Sequence, residues 1–189
     1  MIEVEVKAKV KDPDKIIKLL KTQGIFLREI HQIDIYFNAP DRDFRLTDEA
    51  LRIRISSEGS ALTYKGPKIG NFIDKTREEI SVHINDVKKT RIILEKLGFH
   101  EVDKVSKKRL LFQFNDLSIS VDLVENLGEF IEIEGLVSTQ NEIEIKRKEI
   151  LDFLNGLDIP LEDCERRSYL ELLLNKKGLI NNPSRITNS

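Results

Sequence analysis

Several function classes are excluded by what this chain lacks. One cysteine, Cys164, leaves no internal disulfide, and three widely spaced histidines with that cysteine do not make the usual zinc spacing. No run approaches the ~20 apolar residues of a membrane span. The first ten residues, MIEVEVKAKV, alternate in charge where a signal peptide carries a long apolar core. The expected location is therefore the cytoplasm, with no membrane partner. Neither G-x-x-x-x-G-K-[ST] nor G-x-G-x-x-G occurs, so no glycine-rich loop is available to cradle phosphates. Net charge is only -2, from 31 basic and 33 acidic residues, without the basic excess of a general nucleic-acid binder. No fixed-period repeat or low-complexity linker interrupts the 189 residues, a length that fits one domain.

What the chain does have is charge, at 34% of residues against a usual quarter, and it is placed with a period of two. Ile2, Val4 and Val6 alternate with Glu3, Glu5 and Lys7, which is a strand pattern. Further strands are predicted over 28–38, 50–56, 62–65, 75–82, 107–114, 117–124 and 129–135. Helices are predicted from Asp12-Pro13 to Gly24, from an Asn85 cap to Leu97, over 141–154 and over 165–174. Asn115-Asp116 and Asn126-Leu127-Gly128 read as turns, and residues 176–189 as a polar tail.

Side chains two apart on a strand share a face, so the charges can be sorted. Glu3, Glu5 and Lys7 share one, as do Arg52 and Arg54, Thr63 and Lys65, Arg77 and Glu79, Lys107 and Arg109, Ser120 and Asp122, and Glu132 and Glu134 with Phe130. The opposite faces are mostly apolar: Leu51, Ile53 and Ile55 behind the arginines, and Ile131 and Ile133 behind the glutamates. Any single pair fits an ordinary wet sheet face. The set does not, because whole strands are dedicated to one sign. Like charges at ~4 Å repel by ~4 kcal/mol at an effective dielectric of ~20, and a counter-ion between them relieves this. Carboxylate clusters call for Mg²⁺ or Mn²⁺; arginine and lysine clusters call for phosphate oxygens. Side chains projecting into a closed barrel of about eight strands could surround a polyphosphate.

Glu3-x-Glu5-x-Lys7 resembles the signature of the CYTH superfamily, the triphosphate tunnel metalloenzymes. The resemblance continues through His31-Gln32-Ile33-Asp34-Ile35-Tyr36-Phe37, which is similar to the second-strand motif of the class IV adenylyl cyclases. It includes Arg52-x-Arg54, Thr63-Tyr64-Lys65-Gly66-Pro67, Lys107-x-Arg109, Asp122, Glu132-x-Glu134 and Ser168-Tyr169-Leu170-Glu171-Leu172-Leu173. It covers about residues 1–174, so a single domain is expected over 1–175. The implied fold is α+β, a closed eight-stranded antiparallel β-barrel or tunnel with helices packed outside.

The resemblance implies that Lys7, Arg52, Arg54, Lys65, Lys107 and Arg109 grip a triphosphate; Arg77 fits the same face by parity, and so does Glu79. It implies metal ligation, direct or through water, by Glu3, Glu5, Asp122, Glu132 and Glu134, and makes Glu5, Glu132 and Lys7 the candidate catalytic residues. The implied cofactor is Mg²⁺ or Mn²⁺, the implied partner a small-molecule triphosphate, and a homodimer is compatible with the family. Arg167 either closes the tunnel or is a solvated helix residue. His31 reads as structural, Asp34 and Tyr36 as orienting arginines or packing, Cys164 as an inert thiol, and Phe26, Phe37, Phe44 and Phe99 as packing residues. Phe72, in a glycine-bounded loop, is placed to cover the tunnel mouth. A water nucleophile would give a triphosphatase, the reading favoured here. Attack by the ribose 3′-hydroxyl of ATP would give cyclic AMP and pyrophosphate instead, and a non-catalytic polyphosphate-binding module is a third possibility.

Overall fold

The alternating segments become eight strands of one antiparallel sheet in a computed structural model that describes residues 2–69 and 77–180. The strands are β1 (Ile2–Lys9), β2 (Ile25–Asn38), β3 (Ala50–Ser56), β4 (Gly59–Lys65), β5 (Glu79–Ile84), β6 (His100–Phe114), β7 (Leu117–Val124) and β8 (Gly128–Val137). The helices are α1 (Pro13–Gln23), α2 (Val87–Lys96), α3 (Ile143–Gly156) and α4 (Tyr169–Lys176). The spatial order is β1-β8-β7-β6-β2-β3-β4-β5, so β1 and β5 are the edges. Those edges meet at an isolated bridge between Glu3 and Arg77. The expected closed ladder is thus replaced, among the described residues, by a curled sheet whose edges touch at one point. Phe72 lies outside the described residues, as does the start of the strand predicted over 75–82.

Local chemistry sets the element ends. Asp12 caps α1 by accepting from the Lys15 backbone N–H at 3.0 Å, with Pro13 just inside the helix where its missing N–H costs nothing. Asp86, one residue beyond the expected Asn85, caps α2 by accepting from the Lys89 N–H at 2.9 Å. Asn115, at φ 52°, turns β6 into β7 in a left-handed conformation that asparagine tolerates. The last helix starts at Tyr169, not near 165, because Ser168 and Glu171 form a reciprocal capping box there.

The apolar faces of the strands point outward under the helices. Val4, Val6, Ile131, Ile133, Ile119, Val121 and Phe112 pack with Ile16 and Leu20 of α1 and with Ile150 and Leu154 of α3. A second cluster joins Ile35, Phe37, Leu51 and Ile53 to Phe44 and to Leu94 of α2. Each such side chain contributes about 1.5–3 kcal/mol on full burial. Leu123, on the same side of β7 as Ile119 and Val121, is 49% exposed. The charged faces therefore turn to the inside of the curl. That is the opposite of a wet sheet face, and it sets up the site. At the end where β2, β6, β7 and β8 approach α4, Tyr36, Val105, Val124 and Phe130 pack against Tyr169 and Leu173. No helix among the described residues is long and apolar enough to cross a membrane.

Candidate functional site

Strand parity and register decide which charges meet. Inside the curl lies a cavity of about 630 Å³ whose wall includes Glu3, Glu5, Arg52, Arg54, Lys65, Arg77, Lys107, Arg109, Glu132 and Glu134. They come from β1, β3, β4, β6 and β8, with Arg77 from just before β5. Half of these ten are nearly shut off from bulk water: Lys107 is 3% exposed, Arg109 6%, Glu132 7%, and Arg52 and Glu5 8% each. Burying so many ions is unfavourable unless each has a partner or a ligand completes the set.

Two buried aspartates organise the cations. Asp34 on β2 faces Arg54 on β3 across the ladder and accepts from its Nε at 2.7 Å and Nη2 at 2.8 Å. Arg52 Nη1 lies 3.8 Å from the same carboxylate. Asp122 on β7 faces Arg109 on β6 and accepts from its Nε at 2.7 Å and Nη2 at 2.6 Å. It also accepts from Lys107 Nζ at 3.2 Å and from the Tyr169 hydroxyl at 2.9 Å. Burial pushes both carboxyls up, but Arg52, Arg54 and Lys107 outweigh it at Asp34, and Lys107 and Arg109 outweigh it at Asp122. Both are held below the usual carboxylate range and stay ionised. Burial lowers the Lys107 pKa, and the neighbouring Arg109 lowers it further.

The acidic residues divide into two groups. Glu3, Glu5 and Glu134 bring one oxygen each within 4.8 Å of one another. At that spacing each ionised pair repels by about 3 kcal/mol for an effective dielectric near 20. Burial, followed by Glu3 and Glu5, pushes the Glu134 carboxyl up to about 8. Burial and then Glu5 also raise Glu3, against the pull of Lys65. Glu132 instead accepts from Arg109 Nη2, and Asp122, with no exposed surface, lies behind the wall as an anchor for cations. Of the five carboxylates expected around metal, then, three converge and two are engaged by Arg109.

Other expected residues take distinct places. Lys7 is 1% exposed and lies behind the wall, with Nζ donating to the Arg167 carbonyl and seated 4.2 Å from the Tyr169 ring centroid. Arg167 joins the site through that carbonyl; its guanidinium pairs with Glu165, with Nε 2.9 Å from Oε1. Lys65 Nζ pairs with Glu79 Oε2 at 2.5 Å, and Arg52 Nη2 is 3.7 Å from Glu79 Oε1, which brings Glu79 onto the wall. Arg52 Nε is buried with no hydrogen-bond acceptor among the described residues. His31 lies away from this cavity, with Nε2 3.2 Å from Ser106 Oγ. Phe37 and Phe44 are buried, whereas Phe26 is 44% exposed and packs edge-on against Phe112. Tyr169 is the residue that motif reading undervalued. Its signal was the Ser168-x-x-Glu171 box, which fixes where α4 begins and aims the next side chain at Asp122.

The curled antiparallel sheet thus carries paired cations and converging carboxylates on its inner face. The chain belongs to the CYTH domain family, which it matches over residues 1–169. It is 48% identical over 173 residues, 91% of this chain and 98% of the relative, to a protein of Methanocaldococcus jannaschii provisionally named an adenylate cyclase. It is 25% identical over 174 residues, 90% of this chain and 87% of the relative, to adenylate cyclase CyaB of Aeromonas hydrophila. The solved structure of the PH1819 protein of Pyrococcus horikoshii OT3 superposes with a TM-score of 0.85 at 44% identity, over 92% of this chain and 99% of that one.

Proposed function

We propose that this protein is a divalent-metal-dependent hydrolase of inorganic triphosphate or a related triphosphate, bound in the charged cavity of a β-tunnel. In this reading the Glu3–Arg77 bridge marks the seam where the curled sheet closes around substrate. The observation that carries it is the convergence of Glu3, Glu5 and Glu134 within 4.8 Å on a wall otherwise rich in arginine and lysine. Three close carboxylates, one raised to about 8 by burial and by the other two, suit a hard, oxygen-seeking cation better than they suit one another. When bound, Mg²⁺ or Mn²⁺ supplies charge neutralisation at phosphate oxygens and acidifies water.

The chain's own residues do the rest. Arg54 and Arg109 are locked by bidentate aspartates, so their remaining donors are preorganised toward the cavity. With Arg52, Lys65 and Lys107 they bind and orient the phosphate chain and stabilise charge that spreads over the transferred phosphoryl group. Glu132 steadies Arg109, while Glu5 stands in the carboxylate group where the nucleophile is activated. Burial excludes bulk water and strengthens each of these interactions.

One observation favours a second reading, adenylate cyclase. The lining of the same cavity also includes the apolar side chains of Phe44, Val102, Leu170 and Leu174, which suit an organic group on the triphosphate. The adenylate cyclase names of the two relatives point the same way. Incubating purified protein with Mg²⁺ or Mn²⁺ and either tripolyphosphate or ATP, then resolving the products, separates the readings. Phosphate release is expected; cyclic AMP formed at a rate rivalling phosphate release would overturn the hydrolase assignment.

A further inference from the structure

We propose that Tyr169, the first residue of α4, is a positioning residue for the triphosphate grip, holding the Lys107 ammonium in register with bound phosphate while Lys7 anchors it from behind the wall. The inference rests on the triphosphate-binding reading and extends it to the C-terminal helix. Two cations lie close to the Tyr169 ring, Lys7 Nζ at 4.2 Å and Lys107 Nζ at 5.0 Å from its centroid. An aromatic face stabilises a nearby ammonium without neutralising it, which an anionic partner would do. The hydroxyl donates at 2.9 Å to Asp122 Oδ2, the same oxygen that accepts from Lys107 at 3.2 Å. By occupying part of that oxygen, the phenol limits how far Asp122 draws the Lys107 charge away from the cavity.

The tyrosine is itself fixed. It is 5% exposed and meets Phe130 edge-on at 5.1 Å. Ser168 and Glu171 cap the helix directly before it, with Ser168 N–H donating to Glu171 Oε2 at 2.6 Å and Glu171 N–H to Ser168 Oγ at 3.1 Å. The segment leading to α4 is tied to β1 at Lys7: the Glu165 N–H donates to the Lys7 carbonyl at 2.8 Å, and Lys7 Nζ donates to the Arg167 carbonyl. The start of α4 and β1 at Lys7 are therefore one hydrogen-bonded unit, and a shift of α4 moves the ring that lies beside Lys107. A residue that only filled space in this apolar cluster would need neither the ring's closeness to two cations nor its hydroxyl.

Full-length Tyr169→Phe and Tyr169→Leu variants test this by calorimetric titration with imidotriphosphate, whose nitrogen bridges resist hydrolysis, in the presence of Mg²⁺. The dissociation constant is expected to rise about tenfold for Tyr169→Phe, which keeps the ring, and about a hundredfold for Tyr169→Leu, which loses ring and hydroxyl. With tripolyphosphate as substrate, the Tyr169→Phe effect is expected in KM, with kcat held within about threefold. Tyr169→Phe preserves the shape and decides the question even if Tyr169→Leu does not fold. Wild-type affinity in Tyr169→Phe, with at most a lower Tm, would reduce Tyr169 to a packing residue and overturn the inference. A wild-type protein that does not bind the analogue at all would instead overturn the triphosphate reading, and the inference with it.

Discussion

Replacing Asp34 with asparagine tests whether the cation grip is built on buried anchors. Asp34 is 1% exposed and makes two charge-assisted hydrogen bonds to Arg54 at 2.7 and 2.8 Å, with Arg52 at 3.8 Å. Asparagine keeps the shape but removes the charge and sets an amide donor against a guanidinium donor. Breaking one side of a buried ion pair costs about 3–5 kcal/mol, because the remaining charge stays buried without compensation. For a domain of this size each kcal/mol lowers Tm by about 2–4 °C, so a fall of about 6–20 °C is expected. The effect has a pH signature. Burial raises the Asp34 carboxyl, but Arg52, Arg54 and Lys107 more than offset it, and in the folded protein it stays ionised well below the usual range. The unfolded chain takes up that proton near pH 3.9. Stability from Asp34 is therefore complete above about pH 4 and is lost as pH falls further toward the folded value. Urea midpoints for both proteins from pH 7 to pH 3 would display the gap at neutral pH and its closing in acid. A loss under about 1 kcal/mol at pH 7, or a gap that does not change with acid, would refute the anchoring argument.

Glu134 has the opposite sign: its carboxyl is raised from an ordinary 4.5 to about 8, so the folded state holds a proton there that the unfolded state releases. Metal-free wild type is expected to lose stability relative to Glu134→Gln as pH rises through that window, with the difference removed by Mg²⁺ or Mn²⁺; parallel Tm profiles from pH 5 to 9 would contradict this. Arg54→Ala is expected to raise KM for tripolyphosphate roughly 10–100-fold while leaving the metal concentration at half-maximal rate unchanged, measured by phosphate release. Glu132→Gln, which loosens Arg109 without entering the convergent carboxylate group, is expected to lower kcat more than metal affinity, checked by metal titration at saturating substrate.

Period-two alternation made most strands legible, because apolar and charged residues are cleanly separated in them. It failed where the backbone breaks its own parity. The apolar run Ile25-Phe26-Leu27 ends in a register shift between Phe26 and Arg28, so β2 begins three residues before its alternation does. The first seven residues of β6, from His100 to Ser106, carry charge on both parities and pair with β2 all the same. Parity groups charged residues by face but cannot say whether a face lies inside or out. Only the helices packed on Val4, Ile131 and Ile53 turn the charges inward. The division of the acids is also tertiary. Asp122 became an anchor because the β6–β7 register sets it opposite Arg109, whereas Glu134 faces Glu5 across the β1–β8 ladder and joins the carboxylates. Sequence spacing carries no trace of either pairing.

The central claim is that the convergent carboxylates and the anchored cations form one metal-dependent triphosphate site. The most direct measurement is the rate of phosphate release from tripolyphosphate by wild type and Glu5→Gln, each with saturating Mg²⁺ or Mn²⁺ and again after chelation. The account predicts turnover by wild type with metal, none after chelation, and a loss of roughly a hundredfold in Glu5→Gln with its circular dichroism and Tm retained. Turnover that survives chelation, or a Glu5→Gln protein as active as wild type, would contradict it.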